Sequence, residues 1–133
     1  MTATGETDLT TLLRAMQPDL DLAPFVFITT NAERAQALWA DAVALIREAE
    51  GITVILTHEA AQRSGVGPEP KWARITLTVH SALSAVGFMA AISARLAAAG
   101  LSLNPLAGYF HDHLFVPWER REEALTILRS FQA

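Results

Sequence analysis

The sequence predicts an α+β domain whose second half has the order β-α-β-β-α. Three observations support this. Residues 74–80 alternate apolar and polar side chains, the pattern of a strand with one buried face. An alanine-rich segment follows and stops at Gly100, as a helix does. The segments LSLNPLA and YFHDHLFV then read as two strands around Gly108, and Pro117 opens a last helix. That helix should turn four residues inward: Ala124, Leu125, Leu128 and Phe131.

The first half begins with a short amphipathic helix predicted at residues 8–17. Its apolar stripe has the spacing i, i+3, i+4 and i+7, and Thr7 or Asp8 can act as N-cap. Pro18 should end this helix. Residues 25–31 are β-branched and aromatic between a proline and a polar turn, so they predict a buried strand.

Residues 32–50 allow two interpretations. Their alanine, leucine, glutamate and arginine content favours one long helix. Yet Gly51 leads into the strong strand ITVILT, and residues 42–47 are apolar enough to pair with it across the turn at 48–51. Periodicity does not decide between a helix and a hairpin here.

With the hairpin, the first half repeats the order of the second, with a helical turn at 58–64. The loop GVGPEP then joins two β-α-β-β-α units. The predicted limits are an N-terminal helix at 1–18, a first unit at 19–66 and a second at 71–133. Neither unit has a terminal strand of its own. We therefore expect the first strand of each unit to complete the sheet of the other, so that the units interleave.

Composition excludes several classes of protein. The chain is 51% hydrophobic and 18% charged with a net charge of −4, which is typical of a water-soluble globular domain rather than a disordered chain. No apolar run is long enough to span a membrane. The scattering of the ten basic residues disfavours a nucleic-acid surface but does not exclude one. Because there is no cysteine, disulfides and thiol chemistry are excluded. The start MTATGET lacks the features of a secretory signal, so we expect a cytoplasmic protein.

The segment YFHDHLFVP at residues 109–117 suggests a metal site at first sight. In a strand, His111 and His113 share one face while Asp112 points to the other. A tetrahedral zinc site needs at least a third protein ligand, which this arrangement does not supply. A metal site at His111 and His113 is therefore the less favoured hypothesis. The alternative is an aromatic face formed by Tyr109, His111, His113 and Phe115.

Asp112 should lie on the apolar face with Phe110, Leu114 and Val116. An ionised carboxylate is costly there unless it is paired or hydrogen-bonded. Two explanations stay open. Backbone N–H groups or an arginine such as Arg74 could satisfy it, or it could lie at the edge of a pocket and receive a ligand ammonium group.

The segment before the long helix offers the complementary chemistry. Gly87 and Val86 open the helix, and free N–H groups at a helix start suit a carboxylate. Ser81 and Ser84 add hydroxyls, although they can equally act as helix caps. The apolar line of this helix should be Val86, Met89, Ser93 and Leu96. A carboxylate site here and an ammonium site at Asp112 would together recognise an α-amino acid.

The second half resembles the ACT domain family through ITLTVHSALSAVG, LAAAGLSLN and above all AGYFHDHLFVP. The first half is similar more loosely, through FVFIT and REAEGITVILTHEAA, so the resemblance covers about 110 residues. It is strongest with uncharacterised bacterial ACT-like proteins, and more distant with the tandem ACT modules of eukaryotic cytosolic amino-acid sensors. It favours the hairpin at 42–57. The family's Asp-x-x-Gly loop has no counterpart aspartate here, because residues 81–87 read SALSAVG.

The resemblance implies a ferredoxin-like fold, with antiparallel sheets and helices on one face. It also implies a regulatory module that binds an amino acid where the loop after the first strand meets a neighbouring module. We therefore expect a non-catalytic sensor without a cofactor, forming a homodimer or higher homo-oligomer and binding neither nucleic acid nor membranes. The alternative is an oligomerisation or scaffold module without a ligand. The candidate ligand-binding residues are Ser81, Ser84, Val86, Gly87, Asn104, Gly108 and Asp112.

Overall fold

The computed structural model describes residues 5–132 and divides them into two compact units. The smaller unit is Leu22–Trp72, and the larger unit combines residues 5–21 with residues 73–132. The N-terminal segment therefore packs with the second half of the chain. The first residues of the chain thus complete the other half. Residues 74–80, the predicted first strand of the second unit, lie with their own half, so the exchange of both first strands stays a prediction.

The larger unit begins with helix α1, Leu9–Ala15, followed by strand β1, Pro18–Thr30, which runs on into the smaller unit. The oxygen of Met16 accepts a hydrogen bond from the N–H of Thr78 at 2.8 Å, so the start of β1 lies along the next half's first strand. The strand starts seven residues earlier than predicted. The sequence hid this start because Asp19 and Asp21 are residue types depleted in strands.

The rest of the larger unit contains β4 (Trp72–Leu77), α4 (Phe88–Ala98), β5 (Asn104–Ala107), β6 (Asp112–Pro117) and α5 (Arg121–Arg129). Its strand order is β1-β4-β6-β5, and β5 and β6 pair antiparallel. Short 3-10 turns flank α5 at Trp118–Arg120 and Ser130–Gln132. Pro117 ends β6 instead of opening the last helix.

The smaller unit contains α2 (Ala32–Ala37), β2 (Ala42–Arg47), β3 (Ile52–Thr57) and α3 (His58–Arg63). Strand β3 pairs antiparallel with both β1 and β2. The hairpin interpretation of residues 42–57 is therefore confirmed and the long helix is wrong. Helix α2 ends after six residues, because the chain turns at 38–41 and enters β2.

Each unit has its own apolar core between the helices and one face of the strands. In the smaller unit the strand residues Val26, Ile28, Val54 and Leu56 pack on Ala35, Leu38, Ala60 and Ala61. In the larger unit α1 contributes Leu12 and Met16, both fully buried. The other buried members of that core include Ile75, Leu77, Phe88, Ile92, Leu96, Leu114, Val116, Ala124, Leu125 and Leu128.

Helix α4 differs from its prediction at its start. It begins at Phe88, and its buried line is Phe88, Ile92 and Leu96, whereas Val86 is 84% exposed. Leu96 belongs to both lines, whereas the predicted Met89 and Ser93 each lie one position after a buried residue. Alanines on every side of the helix blur its periodicity. Ala124, Leu125 and Leu128 of α5 are buried as predicted.

None of the helices within residues 5–132 has both the length and the apolar character needed to cross a membrane.

Candidate functional site

A ten-residue loop, residues 78–87, joins β4 to α4. Connections of this kind are commonly two to about six residues long. The corresponding connection in the smaller unit, from β1 to α2, is Asn31 alone. The long loop is therefore an extra feature of the larger unit.

The end of this loop requires glycine. Gly87 is the N-cap of α4 with φ +92°, a conformation that L side chains rarely adopt, and no side chain caps the helix. The prediction that Ser81 or Ser84 caps α4 is wrong, because both lie several residues before its first turn. The first N–H groups of α4 therefore have no side-chain partner, and Cδ2 of Leu9 lies 3.5 Å from where a Cβ on Gly87 would be.

The N-terminal segment runs along the start of the loop. The Glu6 N–H donates to the His80 oxygen at 2.8 Å, and the Ala82 N–H donates to the Glu6 oxygen at 2.9 Å, forming a parallel bridge with Ser81. A Cβ on Gly5 would lie only 2.3 Å from the Ala82 nitrogen. This contact was missed by sequence reasoning, which saw MTATGET only as a small polar stretch.

Ser81 is the buried polar side chain of the loop, and its Oγ donates to Oδ2 of Asp112 at 2.8 Å. Two of the predicted ligand-binding residues are thus in direct contact. Arg74, predicted as a possible partner of Asp112, instead pairs with Asp21 at 3.0 Å. The half-buried carboxylate of Asp112 is therefore held by a neutral hydroxyl, and this hydrogen bond does not neutralise the negative charge of the carboxylate.

The tip of the β5-β6 hairpin carries exposed aromatic side chains. Tyr109 and Phe110 lie in the turn, with ring centroids 5.0 Å apart, and Phe110 lies 5.2 Å from His80. The strand predicted at 109–116 therefore begins at Asp112, three residues later than predicted. The predicted aromatic face is wrong for the same reason, since Tyr109 and His111 precede the strand, and so is the grouping of Phe110 with Asp112.

His113 follows Asp112 in β6 and therefore points to the opposite face of the strand. Its Nδ1 lies 3.1 Å from Oγ1 of Thr76. Burial lowers the pKa of His113 from its ordinary value, and the charges of Arg74 and His111 add to this effect, while Asp112 opposes it. Within residues 5–132 no group of three or more metal-binding side chains comes together.

The remaining predicted site residues are dispersed around this contact. Ser84 and Val86 lie exposed on the loop, and Gly108 donates its N–H to the His111 oxygen at 2.9 Å in the hairpin turn. Asn104 pairs with Phe115 at the opposite end of β5 from the pair Ala107 and Asp112. At about 3.3 Å per strand residue, Asn104 is about 10 Å further along the hairpin.

The smaller unit has an open groove of about 1110 Å³ beside α2 and the β2-β3 hairpin. Trp39, 70% exposed, lines it together with Leu45, Arg47 and Ile52. The groove was not predicted from the sequence. The only signal for it was a tryptophan in a segment that the helix interpretation placed on a continuous helix.

The arrangement of helices and strands agrees with the sequence comparison. Family models for the ACT domain match residues 4–73 and again residues 69–130. The chain belongs to the ACT domain family. The resemblance noted from AGYFHDHLFVP is therefore confirmed, and the chain carries two ACT domains in tandem. The ferredoxin-like fold class that this resemblance implied is confirmed as well.

Solved structures of similar proteins support the same assignment. A Vibrio cholerae protein of unknown function, described as a possible transport protein, is 43% identical, with a TM-score of 0.80 over 90% of this chain and 92% of its own. The ligand-free regulatory subunit of aspartate kinase from Thermus thermophilus is 16% identical, with a TM-score of 0.68 over 87% of this chain and 97% of its own. An Agrobacterium tumefaciens protein is 18% identical, with a TM-score of 0.68 over 83% and 84%. The last two similarities concern the fold alone.

None of the curated proteins matches this sequence.

Proposed function

We propose that this protein is a non-catalytic regulatory module that binds an amino acid at the loop of residues 78–87. Membership of the ACT domain family supports a regulatory, ligand-binding role. The observation that carries the proposal is the hydrogen bond from Ser81 to Asp112, because it joins the long loop to the hairpin and holds a carboxylate beside it. A regulatory subunit of aspartate kinase shares this fold.

In this proposal each end of an amino acid has a partner. Asp112 accepts the ammonium group, and the N–H groups at the start of α4, after Gly87, receive the carboxylate. Ser81 orients Asp112, Ser84 and Val86 border the site, and Gly108 shapes the hairpin turn. Asn104 is left out, because it lies at the other end of β5.

A thermal shift screen over the twenty amino acids tests the proposal. A ligand present at 100 times its dissociation constant adds about 2.7 kcal/mol to stability, which raises the melting temperature of a domain of this size by roughly 8–13 °C. Ser81→Ala should reduce the shift, because Asp112 then loses the hydroxyl that orients it. Ser93→Ala is the matched control, since Ser93 bonds only to the oxygen of Ala90 on α4. If no amino acid changes the melting temperature, the proposal is wrong.

Features of the smaller unit favour a homodimer, in which the partner is a second copy of this chain. Strand β2 is at one end of the strand order, and Val43 and Ile46 on it are each 41% exposed. An edge strand with unpaired backbone groups and apolar side chains is a site for association. The dimer should appear in sedimentation velocity, and Ile46→Lys should return it to monomers. A monomer at every concentration would exclude this interface.

A further inference from the structure

The loop of residues 78–87 has few backbone groups left for a ligand at its start. The His80 oxygen and the Ala82 N–H are both hydrogen-bonded to Glu6, and the Ala85 N–H is bonded to the Ala82 oxygen at 3.0 Å. Gly5 packs against the backbone of Ser81 and Ala82 so closely that no side chain fits. The N-terminal segment therefore forms a wall of the site, and recognition at this point depends on side chains.

The segments that form the loop and its neighbours carry carboxylates and no fixed positive charge. Residues 5–9, 78–87 and 108–113 contain no lysine or arginine, and their carboxylates belong to Glu6, Asp8 and Asp112. Glu6 accepts the N–H groups of Thr7 and Asp8 at 3.0 Å, and Asp8 caps α1 through the N–H of Thr11. Asp112 differs, because it accepts from the hydroxyl of Ser81. The uncompensated charge at the site is therefore negative, which complements a cation and repels a second carboxylate.

Large apolar side chains are exposed on both the loop and the hairpin turn that the Ser81–Asp112 hydrogen bond joins. Leu83 and Val86 on the loop are 68% and 84% exposed, and Tyr109 and Phe110 on the hairpin are 61% and 54% exposed. The contacts of Ser81 with Asp112 and of His80 with Phe110 tie the two loops together. Isolated exposed apolar residues are ordinary, whereas several on two loops that contact each other are typical of a binding surface.

We infer that the ligand is a small molecule with a protonated amine and an apolar side chain, and that acidic molecules are rejected. The inference rests on the proposed function, because it assigns the chemistry of the ligand bound at that same site. Asp112 binds the ammonium group, and Leu83, Val86, Tyr109 and Phe110 contact the apolar part. The two sources of such a group are hydrophobic amino acids and free apolar amines.

Calorimetric titration of the full chain with matched compounds tests the inference. Leucine and phenylalanine carry both the amine and the apolar group, 3-methylbutylamine and 2-phenylethylamine lack the carboxylate, and the N-acetyl amino acids lack the charged amine. Binding by the amino acids but not by their N-acetyl forms is expected. If the two free amines bind within about tenfold of the amino acids, the amine is the group that is recognised. If the free amines do not bind, part of the recognition belongs to the ligand carboxylate at the start of α4. Both outcomes support the inference.

Variants separate the two parts of the recognition. Asp112→Asn keeps a side chain that can accept from Ser81, and it should weaken binding by about 10–100-fold, because a hydrogen-bonded charge is replaced by a neutral amide. Val86→Ser should weaken binding several-fold without affecting folding, because Val86 is largely exposed. Leu22→Ser on β1 is the control, because Leu22 is 93% exposed, and it should leave affinity unchanged.

Three results would overturn the inference. Aspartate, glutamate or an N-acetyl amino acid could bind as tightly as leucine; Asp112→Asn could bind as tightly as the wild type; or Val86→Ser could match Leu22→Ser. Tight binding of aspartate or glutamate, or an unaffected Val86→Ser, would leave the proposed site intact. Tight binding of an N-acetyl amino acid, or by Asp112→Asn, would also remove the proposed role of Asp112. If no compound binds to the wild type, the proposed function fails together with the inference.

Discussion

Replacing Gly5 by alanine tests how firmly the N-terminal segment is attached to the loop. A Cβ at this position would lie 2.3 Å from the Ala82 nitrogen and 2.5 Å from the Ser81 carbonyl carbon, and both are backbone atoms that do not move independently. We expect the segment to lift away from the loop. The two hydrogen bonds between Glu6 and residues 80 and 82 would then be lost. Helix α1 should stay docked, because Leu12 and Met16 remain fully buried.

The loss of stability follows from those two hydrogen bonds. Each backbone hydrogen bond contributes about 0.5–1.5 kcal/mol net, so Gly5→Ala should destabilise the protein by about 1–3 kcal/mol. With a urea dependence of about 2 kcal/mol per molar, a loss of about 2 kcal/mol lowers the denaturation midpoint by about 1 M. The assay is urea unfolding followed by circular dichroism, together with hydrogen exchange of the Ala82 amide.

Gly67→Ala is the matched control. No atom lies within 4 Å of a Cβ placed there, and Gly67 has no positive φ. Both variants restrict the unfolded chain in the same way, an effect of about 0.4–1 kcal/mol that cancels in the comparison. Equal midpoints for the two variants, or unchanged exchange of the Ala82 amide in Gly5→Ala, would refute the account of this contact.

Three further predictions concern stability. Because the pKa of His113 is lowered in the folded protein, the unfolded state takes up the proton first as the pH falls below about 6.5, so stability should decline on acidification and the decline should be smaller in His113→Asn, as thermal melts between pH 7 and 5 would show. Equal slopes would contradict this. Leu12→Ala should cost about 2–5 kcal/mol in urea unfolding, because its side chain is fully buried in the core of the larger unit, and a cost near that of an exposed residue would contradict the packing of α1. The domain limit at 71 stays a prediction; the fragment 71–133 alone should be unfolded by circular dichroism, since it lacks Leu12 and Met16, and a folded soluble fragment would count against the interleaving.

The order of elements could be predicted from sequence because each element carries its own local signal. The alternation at residues 74–80 and the β-rich segments around Gly108 led to strands that the structure contains. The hairpin at 42–57 was decided only by family resemblance. Residues 42–47 lie in a segment of high helix propensity. They form a strand because they pair with β3, a tertiary interaction that a local pattern does not contain.

The errors at the site have a shared physical cause. Tyr109 and Phe110 are aromatic and favour strands, so the sequence predicted a strand through them, yet the turn that joins β5 to β6 needs those positions. Ser81 was read as a helix cap because caps are recognised by spacing alone, whereas its partner, Asp112, lies 31 residues away. The contact of Glu6 with the same loop joins residues even further apart in sequence. Local patterns singled out Ser81 and Asp112 but not the contact between them.

Hydrogen-exchange mass spectrometry tests most directly whether the ligand site is where we place it. The protein is compared with and without a saturating concentration of the amino acid that gives the largest thermal shift. Ligand binding should slow exchange in peptides that cover residues 78–87 and 108–113, with little change elsewhere. Protection confined to residues 32–52, beside the groove at Trp39, would contradict the proposed site.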